Sequence, residues 1–148
     1  MLNLVRNSYA KLTGISDKEA AQPIEPGEWS RKQIIGHLID SACNNHQRFA
    51  RAQWCEKLEF PSYQQDQWVD CQKYNLIDWH ELLDFWKAYN EHLAHIISVM
   101  DQQHLRTPCV VGWSSEPNTI VPLSRVIEHY SEHMELHLNQ ILERRART

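Results

Sequence analysis

The sequence lacks the features that mark membrane, secreted and nucleotide-binding proteins. No stretch approaches the ~18–20 consecutive apolar residues of a membrane-spanning helix, and the first residues lack the apolar core of a secretory signal. The four cysteines contain no C-x-x-C pair, so nothing indicates a disulfide framework or a cysteine-rich zinc site. The motifs G-x-S-x-G, P-loop and G-x-G-x-x-G are also absent. We therefore expect a cytoplasmic protein with reduced thiols and no membrane partner.

Glycine is scarce as well, and the net charge is low. The chain has only four glycines, and its apolar residues recur at helical spacing almost everywhere. Fifteen basic and nineteen acidic residues give a net charge of −4, which argues against a nucleic-acid partner. A chain of 148 residues predicts one domain over residues 1–148, large enough to bury roughly 70% of its unfolded surface.

The apolar spacing predicts four amphipathic helices. They are expected at Leu2–Leu12, Ser30–Leu58, Trp79–Met100 and Ser124–Arg144, with boundary errors of about ±2–4 residues. Four such helices predict an all-α fold, a four-helix bundle with long connections between helices 2 and 3 and between helices 3 and 4. In bundles of this kind, ligands from facing helices converge in the core or at one end.

The two long connections are candidates for binding loops. Residues 59 to 78 show no clean period, and a connection of this length in a compact domain is often a lid. Residues 102 to 123 include Val110–Trp113, which are predicted to form a short extended piece. Trp68 and Trp113 are the tryptophans that we expect nearest to a pocket.

Three histidines follow one another at four-residue intervals on the fourth predicted helix, at positions 129, 133 and 137. This spacing stacks them on one face. Neighbours in the series lie roughly 6 Å apart along the axis and can share a metal ion at ~2.0–2.1 Å from each nitrogen, whereas His129 and His137 are separated by roughly 12 Å. His133 must therefore pair with His129 or with His137, and spacing alone leaves that choice open. The best candidate for a further ligand is His37.

A polar stripe follows His37 along the second predicted helix, with Ser41, Asn44 and Arg48 beside the apolar face and Asp40 three residues after the histidine. This arrangement predicts the lining of a cavity. Asp40 is interpreted either as an acceptor that fixes a histidine tautomer or as a surface charge. Asn44 and Arg48 either position an anionic substrate or brace the bundle, and bracing is favoured.

Two motifs make the chain resemble the DinB/YfiT-like superfamily of metal-binding four-helix bundles. The H-x-x-D…N…R-F pattern of that family's second helix is similar to Gly36-His37-Leu38-Ile39-Asp40-Ser41 with Asn44 or Asn45 and Arg48-Phe49. The H-x-x-x-H-x-x-Q-I pattern of its fourth helix is similar to His133-x-x-x-His137-x-x-Gln140-Ile141. Leu136 departs from the family, which often has a further histidine at this position.

The resemblance implies that His37, His133 and His137 hold a divalent metal ion, zinc or nickel, and that His129 lies one turn before the site. It implies an enzyme that activates a low-molecular-weight thiol or water toward a small-molecule substrate, with thiol S-transfer favoured over hydrolysis. The alternative is a non-catalytic metal-stabilised bundle that serves as a binding or stress-response module. The family's habit and the tryptophan-rich helix faces also predict a homodimer.

Overall fold

The structure is a computed structural model that describes residues 1–113 and 118–143. Its helices are α1 (Leu2–Leu12), α2 (Asp17–Ala20), α3 (Arg31–Arg51), α4 (Gln65–Gln72), α5 (Trp79–Val99) and α6 (Leu123–Glu143). The strands are β1 (Leu58–Glu59), β2 (Pro108–Val111) and β3 (Thr119–Pro122), and two 3-10 turns cover Tyr74–Leu76 and Gln102–Arg106. No helix within these ranges has both the length and the apolar character to span a membrane.

The four long helices enclose the core. Helix α3 packs against α5 and α6, and α1 packs against the same two helices. The largest buried side chains include Phe49, Trp79, Trp86 and Tyr130. The Tyr130 hydroxyl donates a hydrogen bond to Asn90 Oδ1 at 2.5 Å, which joins α6 to α5 inside this apolar interior. The phenol is thereby satisfied where water cannot reach it.

The predicted helices are largely confirmed. Helix α1 has the predicted bounds, while α5 and α6 agree with the prediction within one or two residues at the ends that the structure describes. Arg144, the predicted last residue of the fourth long helix, lies outside the described residues. Helix α3 ends at Arg51, well before the predicted Leu58, which instead begins β1.

The pure four-helix bundle is not confirmed, because the described residues also contain α2, α4 and a small sheet. Strand β2 is central: it pairs in parallel with β1, where Leu58 faces Cys109, and antiparallel with β3, where Val110 faces Ile120. The extended piece predicted at Val110–Trp113 overlaps only the end of β2, since the strand ends at Val111. Strands β1 and β3 were not predicted, because they are short and the β1–β2 pairing joins distant parts of the chain. The coarser prediction of a mostly helical fold holds.

The start of α3 is fixed by local hydrogen bonds. Ser30 Oγ accepts a hydrogen bond from the Gln33 backbone N–H at 3.1 Å, and Gln33 Oε1 accepts one from the Ser30 N–H at 2.9 Å, which forms a capping box. The buried Lys32 ammonium lies 2.6 Å from both Asp17 Oδ1 and the Ile77 carbonyl oxygen. These contacts set the register of the helix that carries His37 in its second turn.

Candidate metal centre

Three imidazoles converge where α3 meets α6. One ring nitrogen from each of His37, His133 and His137 lies within 4.8 Å of the other two. The Nε2 atoms of His37 and His133 are 3.2 Å apart, and the ring centroids of His37 and His137 are 4.9 Å apart. His129 is outside this group, since its ring centroid is 6.5 Å from that of His133. The structure thus brings together the three histidines that the family motifs indicated.

The donor set fits a divalent cation. Two nitrogens at ~2.0–2.1 Å from one tetrahedral ion are separated by roughly 3.3 Å, close to the distance between His37 Nε2 and His133 Nε2. Burial, and then repulsion between the imidazoles, lowers the pKa of His37 to about 3 and that of His133 to about 4. Burial lowers the pKa of His137 too. All three rings are therefore neutral at pH 7, which is the form that binds metal.

Gln140 orients His137 from the next turn of α6. His137 Nδ1 lies 3.1 Å from Gln140 Oε1. An amide oxygen only accepts hydrogen bonds, so Nδ1 carries the proton and Nε2 is left with a free lone pair. The family motif contains this glutamine, but the sequence alone assigned no role to it. His37 Nδ1, in contrast, is buried without a hydrogen-bond partner among the described residues.

Asp40 faces α4 rather than the histidines. Its Oδ1 accepts hydrogen bonds from the Tyr74 hydroxyl at 2.6 Å and from Gln72 Nε2 at 2.7 Å. The residue is only 2% exposed, so it is not a surface charge. Its hydrogen bonds tie α3 to α4 and to the following 3-10 turn, and none of them reaches a histidine.

Asn44 makes a hydrogen bond within its own helix, so its predicted role in bracing the bundle stays a prediction. Its Nδ2 donates to the Asp40 carbonyl oxygen at 2.9 Å. The neighbouring Asn45 is the asparagine that lines the cavity beside the histidines. The sequence motif could be read with either residue, and only the orientation of α3 distinguishes them.

A cavity of about 410 Å³ opens beside the histidine cluster. Trp113, just after β2, stacks on His129 with ring centroids 4.1 Å apart and planes 8° apart. Tyr63 also lines the cavity, and burial raises its pKa to about 12, so its hydroxyl stays protonated at neutral pH. Sequence reasoning missed Tyr63 because it belongs to the connection without a clean period. The prediction that Trp113 lies at a pocket is correct, and Trp68 lines another one.

Arg48 brings a positive charge to this cavity. Its Nη1 lies 3.5 Å from Asn45 Oδ1 and its Nη2 lies 3.5 Å from the Pro61 carbonyl oxygen, while the guanidinium sits 5.3 Å from the Phe60 ring centroid. No ion pair among the described residues includes Arg48. Burial lowers its pKa, but a guanidinium stays charged in proteins. The cavity thus combines neutral imidazoles with an uncompensated cation, an environment that favours an anionic ligand.

The fold recurs in known proteins. YfiT from Bacillus subtilis, described as a probable metal-dependent hydrolase with an unusual four-helix bundle topology, superposes with a TM-score of 0.82 at 19% identity, over 99% of this chain and 84% of YfiT. A mycothiol-dependent maleylpyruvate isomerase gives a TM-score of 0.74 at 14% identity, over 95% of this chain and 59% of the isomerase. At these identities the likeness concerns the fold alone.

Sequence comparison identifies the family. A protein of Oceanobacillus iheyensis, whose name assigns it provisionally to the metal-dependent hydrolases, is 28% identical over 58 residues, which are 39% of this chain and 34% of that protein. The match therefore spans only about a third of that relative. The family model of the DinB superfamily matches residues 1–141, which is nearly the whole chain. The chain belongs to the DinB superfamily.

Proposed function

We propose that this protein is a divalent-metal-dependent enzyme that activates a thiol or water for attack on a small anionic electrophile. The observation that carries the proposal is the convergence of three neutral imidazoles beside a cavity of about 410 Å³. Among the described residues, no fourth histidine, cysteine or carboxylate joins the three. Structural zinc sites are usually closed by four protein ligands, whereas catalytic sites keep a position open.

The residues around the site have complementary roles in this proposal. A zinc or nickel ion held by His37, His133 and His137 would lower the pKa of a bound thiol or water, so that a nucleophile exists at neutral pH. Gln140 keeps His137 Nε2 available for binding. Arg48 is suited to hold an acidic group of the substrate, and the protonated Tyr63 hydroxyl can donate a hydrogen bond from the cavity wall.

Thiol transfer is the favoured reaction, with a low-molecular-weight thiol as the second substrate. The cavity size suits a small molecule. One protein with a similar fold is described as mycothiol-dependent, and YfiT is described as a probable metal-dependent hydrolase, so hydrolysis is the nearest competitor. The alternative is that the protein is not an enzyme but a metal-stabilised bundle that serves as a binding module or in a stress response. It is supported by the position of the histidines, since a bound ion would cross-link α3 to α6.

The test combines metal analysis with a substrate screen. Protein purified without chelator is expected to contain one zinc or nickel ion per chain. Low-molecular-weight thiols are then assayed with fluorogenic electrophiles and with ester and amide substrates, each in matched forms with and without a carboxylate. We expect turnover with a thiol, a preference for the carboxylate form, and loss of turnover in His133→Ala. His95→Ala, which removes an exposed histidine of α5, is the control and should behave like the wild type.

The outcomes separate the proposed functions. Metal-dependent hydrolysis without any thiol would assign the protein to the hydrolases. Stoichiometric metal without turnover of any substrate, combined with a fall in thermal stability on chelation, would favour the metal-stabilised bundle. Equal turnover of the charged and neutral forms would contradict the role given to Arg48.

A further inference from the structure

A second cavity, of about 500 Å³, lies between α3, α4 and α5. None of its lining residues lines the cavity beside the histidines. Its wall includes three aromatic side chains, and its polar lining includes a carboxylate, an amide and a thiol: Trp68, Phe85, Tyr89, Asp40, Gln72 and Cys43. The role proposed for the metal centre uses none of these groups.

The polar lining offers hydrogen-bond acceptors. Asp40 Oδ1 is occupied by Tyr74 and Gln72, but Asp40 Oδ2 is buried and has no partner among the described residues. Gln72 Nε2 donates to Asp40 Oδ1 at 2.7 Å and to the Trp68 carbonyl oxygen at 3.1 Å. Both amide hydrogens of Gln72 are therefore used in these two hydrogen bonds. The side-chain carbonyl oxygen of Gln72 is the atom that can accept a hydrogen bond from a ligand. A ligand that matches this end of the cavity must donate hydrogen bonds.

The charge of the cavity is uncompensated. Within residues 1–113 and 118–143, no lysine or arginine lines it and no ion pair includes Asp40. Burial raises the pKa of Asp40, which reflects the cost of holding this carboxylate ionised without a counter-ion. A bound cation would remove that cost.

The aromatic wall suits a cation that has an apolar body. The rings of Phe85 and Tyr89 are stacked, with centroids 5.8 Å apart and planes 23° apart. Phe85 is 55% exposed and so lies toward the rim, whereas Asp40 is almost fully buried. Aromatic faces attract organic cations, and the attraction is stronger where water is excluded.

We infer that this cavity binds a small primary organic ammonium ion. Its N–H groups are directed to Asp40 and Gln72, and its apolar body rests against Trp68, Phe85 and Tyr89. A cavity of this volume accommodates such a molecule. The inference does not depend on the proposed enzymatic function, because the two cavities are separate.

Isothermal titration calorimetry of the full-length, metal-loaded protein with 2-phenylethylammonium tests the inference. We expect saturable binding, and at least about 10-fold weaker binding of 2-phenylethanol, which has the same shape without the charge. Asp40→Asn keeps an oxygen for Tyr74 and Gln72 but removes the charge, and should also weaken binding at least about 10-fold. Asp66→Asn removes one exposed carboxylate from α4 and is the matched control, with unchanged affinity.

Two further variants keep the test decisive. Phe85→Leu changes a ring that is 55% exposed and should weaken binding roughly 3-fold. It therefore tests the inference independently if Asp40→Asn does not fold. His133→Ala should bind the amine as well as the wild type, since the amine does not act as a metal ligand. The inference is overturned by equal binding of the alcohol, by wild-type affinity in both Asp40→Asn and Phe85→Leu, by loss of binding in His133→Ala, or by no binding of any primary amine tested.

Discussion

At the scale of single residues, the separation of His129 from the other histidines of its helix defines the candidate centre. His37, His133 and His137 each supply one of three nitrogens, whereas His129 stacks on Trp113. We predict that alanine at any of the three abolishes stoichiometric metal binding, because two imidazoles leave too few bonds to hold the ion against buffer and water. His129→Ala should retain the metal. Elemental analysis after gel filtration measures the metal content of each variant.

The reverse result would identify a different ligand set. Loss of metal from His129→Ala together with its retention by His137→Ala would mean that His133 pairs with the earlier histidine, in a conformation other than this one.

Gln140 provides a second test at this scale. Its hydrogen bond to His137 Nδ1 fixes the tautomer that presents Nε2. Removal of such a partner typically costs 10–100-fold in metal affinity, so Gln140→Ala should weaken binding by about that factor without changing stoichiometry. Competition with a chromogenic chelator measures the affinity. Asn139→Ala, an exposed neighbour on α6, is the control, and an equal loss in both variants would show that the effect comes from the helix and not from the hydrogen bond.

At the scale of elements, the close approach of Tyr74 to α3 determines how that helix contacts the connection of residues 59–78. A Cβ atom on Gly36 would lie only 2.1–2.4 Å from three atoms of the Tyr74 ring. Glycine inside a helix costs about 1 kcal/mol relative to alanine, so helix propensity alone does not favour Gly36. Its absence of a side chain lets Tyr74 reach Asp40 from the 3-10 turn.

Gly36→Ala should therefore destabilise the protein although it improves helix propensity. Over-packing of a core typically costs 1–3 kcal/mol, and contacts as short as these place the cost toward the upper end. It should therefore exceed the gain of about 1 kcal/mol in helix propensity. Urea denaturation should show a lower midpoint. Gly112→Ala is the matched control, since its Cβ would meet only Ser62 Cβ at 3.9 Å, an ordinary contact. A midpoint at or above the wild-type value in Gly36→Ala would contradict the packing argument.

At the scale of the whole molecule, burial of neutral histidines makes stability depend on pH. In the folded, metal-free protein the pKa values of His37 and His133 are about 3 and about 4, below the ordinary 6.5. Below about pH 6.5 the unfolded chain therefore binds more protons than the folded protein. The free energy of unfolding is highest above pH 6.5 and falls as the pH drops toward the pKa values of the folded protein. The expected slope is up to about 1.4 kcal/mol per pH unit for each histidine.

Urea denaturation of chelated protein between pH 7.5 and pH 5 measures this dependence. The slope should be smaller in His37→Phe, which removes one of the two groups and keeps an aromatic ring in its place. Stability that is constant over this range would contradict the neutral state of the two imidazoles.

Self-association remains a prediction for the whole molecule. A groove of about 800 Å³ between α1, α5 and α6 has an apolar floor that includes Leu2, Ile97 and Ile127, and charged residues also line it. Covering such a groove with a second copy would remove apolar surface from water. Sedimentation equilibrium at micromolar concentration is expected to give twice the chain mass of 17.5 kDa, and a monomeric mass would contradict the prediction.

Local periodicity was enough to predict much of the fold. The long helices and the face shared by His133 and His137 could be predicted from the sequence, because contacts over three or four residues along a helix follow from its geometry alone. His37 was the best candidate for a further ligand, and the resemblance to a family then favoured His137 over His129 as the neighbour that pairs with His133. Strand β1 and helix α4 escaped prediction because each is short and is fixed by distant parts of the chain.

Only the tertiary structure decided which distant side chains meet. The Nε2 atoms of His37 and His133 lie together although 96 positions separate them in the sequence. Asp40 lies three residues after His37, a spacing that allowed contact with the histidine, yet its side chain is held on the α4 side by Gln72 and Tyr74. Helical spacing fixes the face from which a side chain starts, whereas the partners packed against that face determine which atoms it contacts.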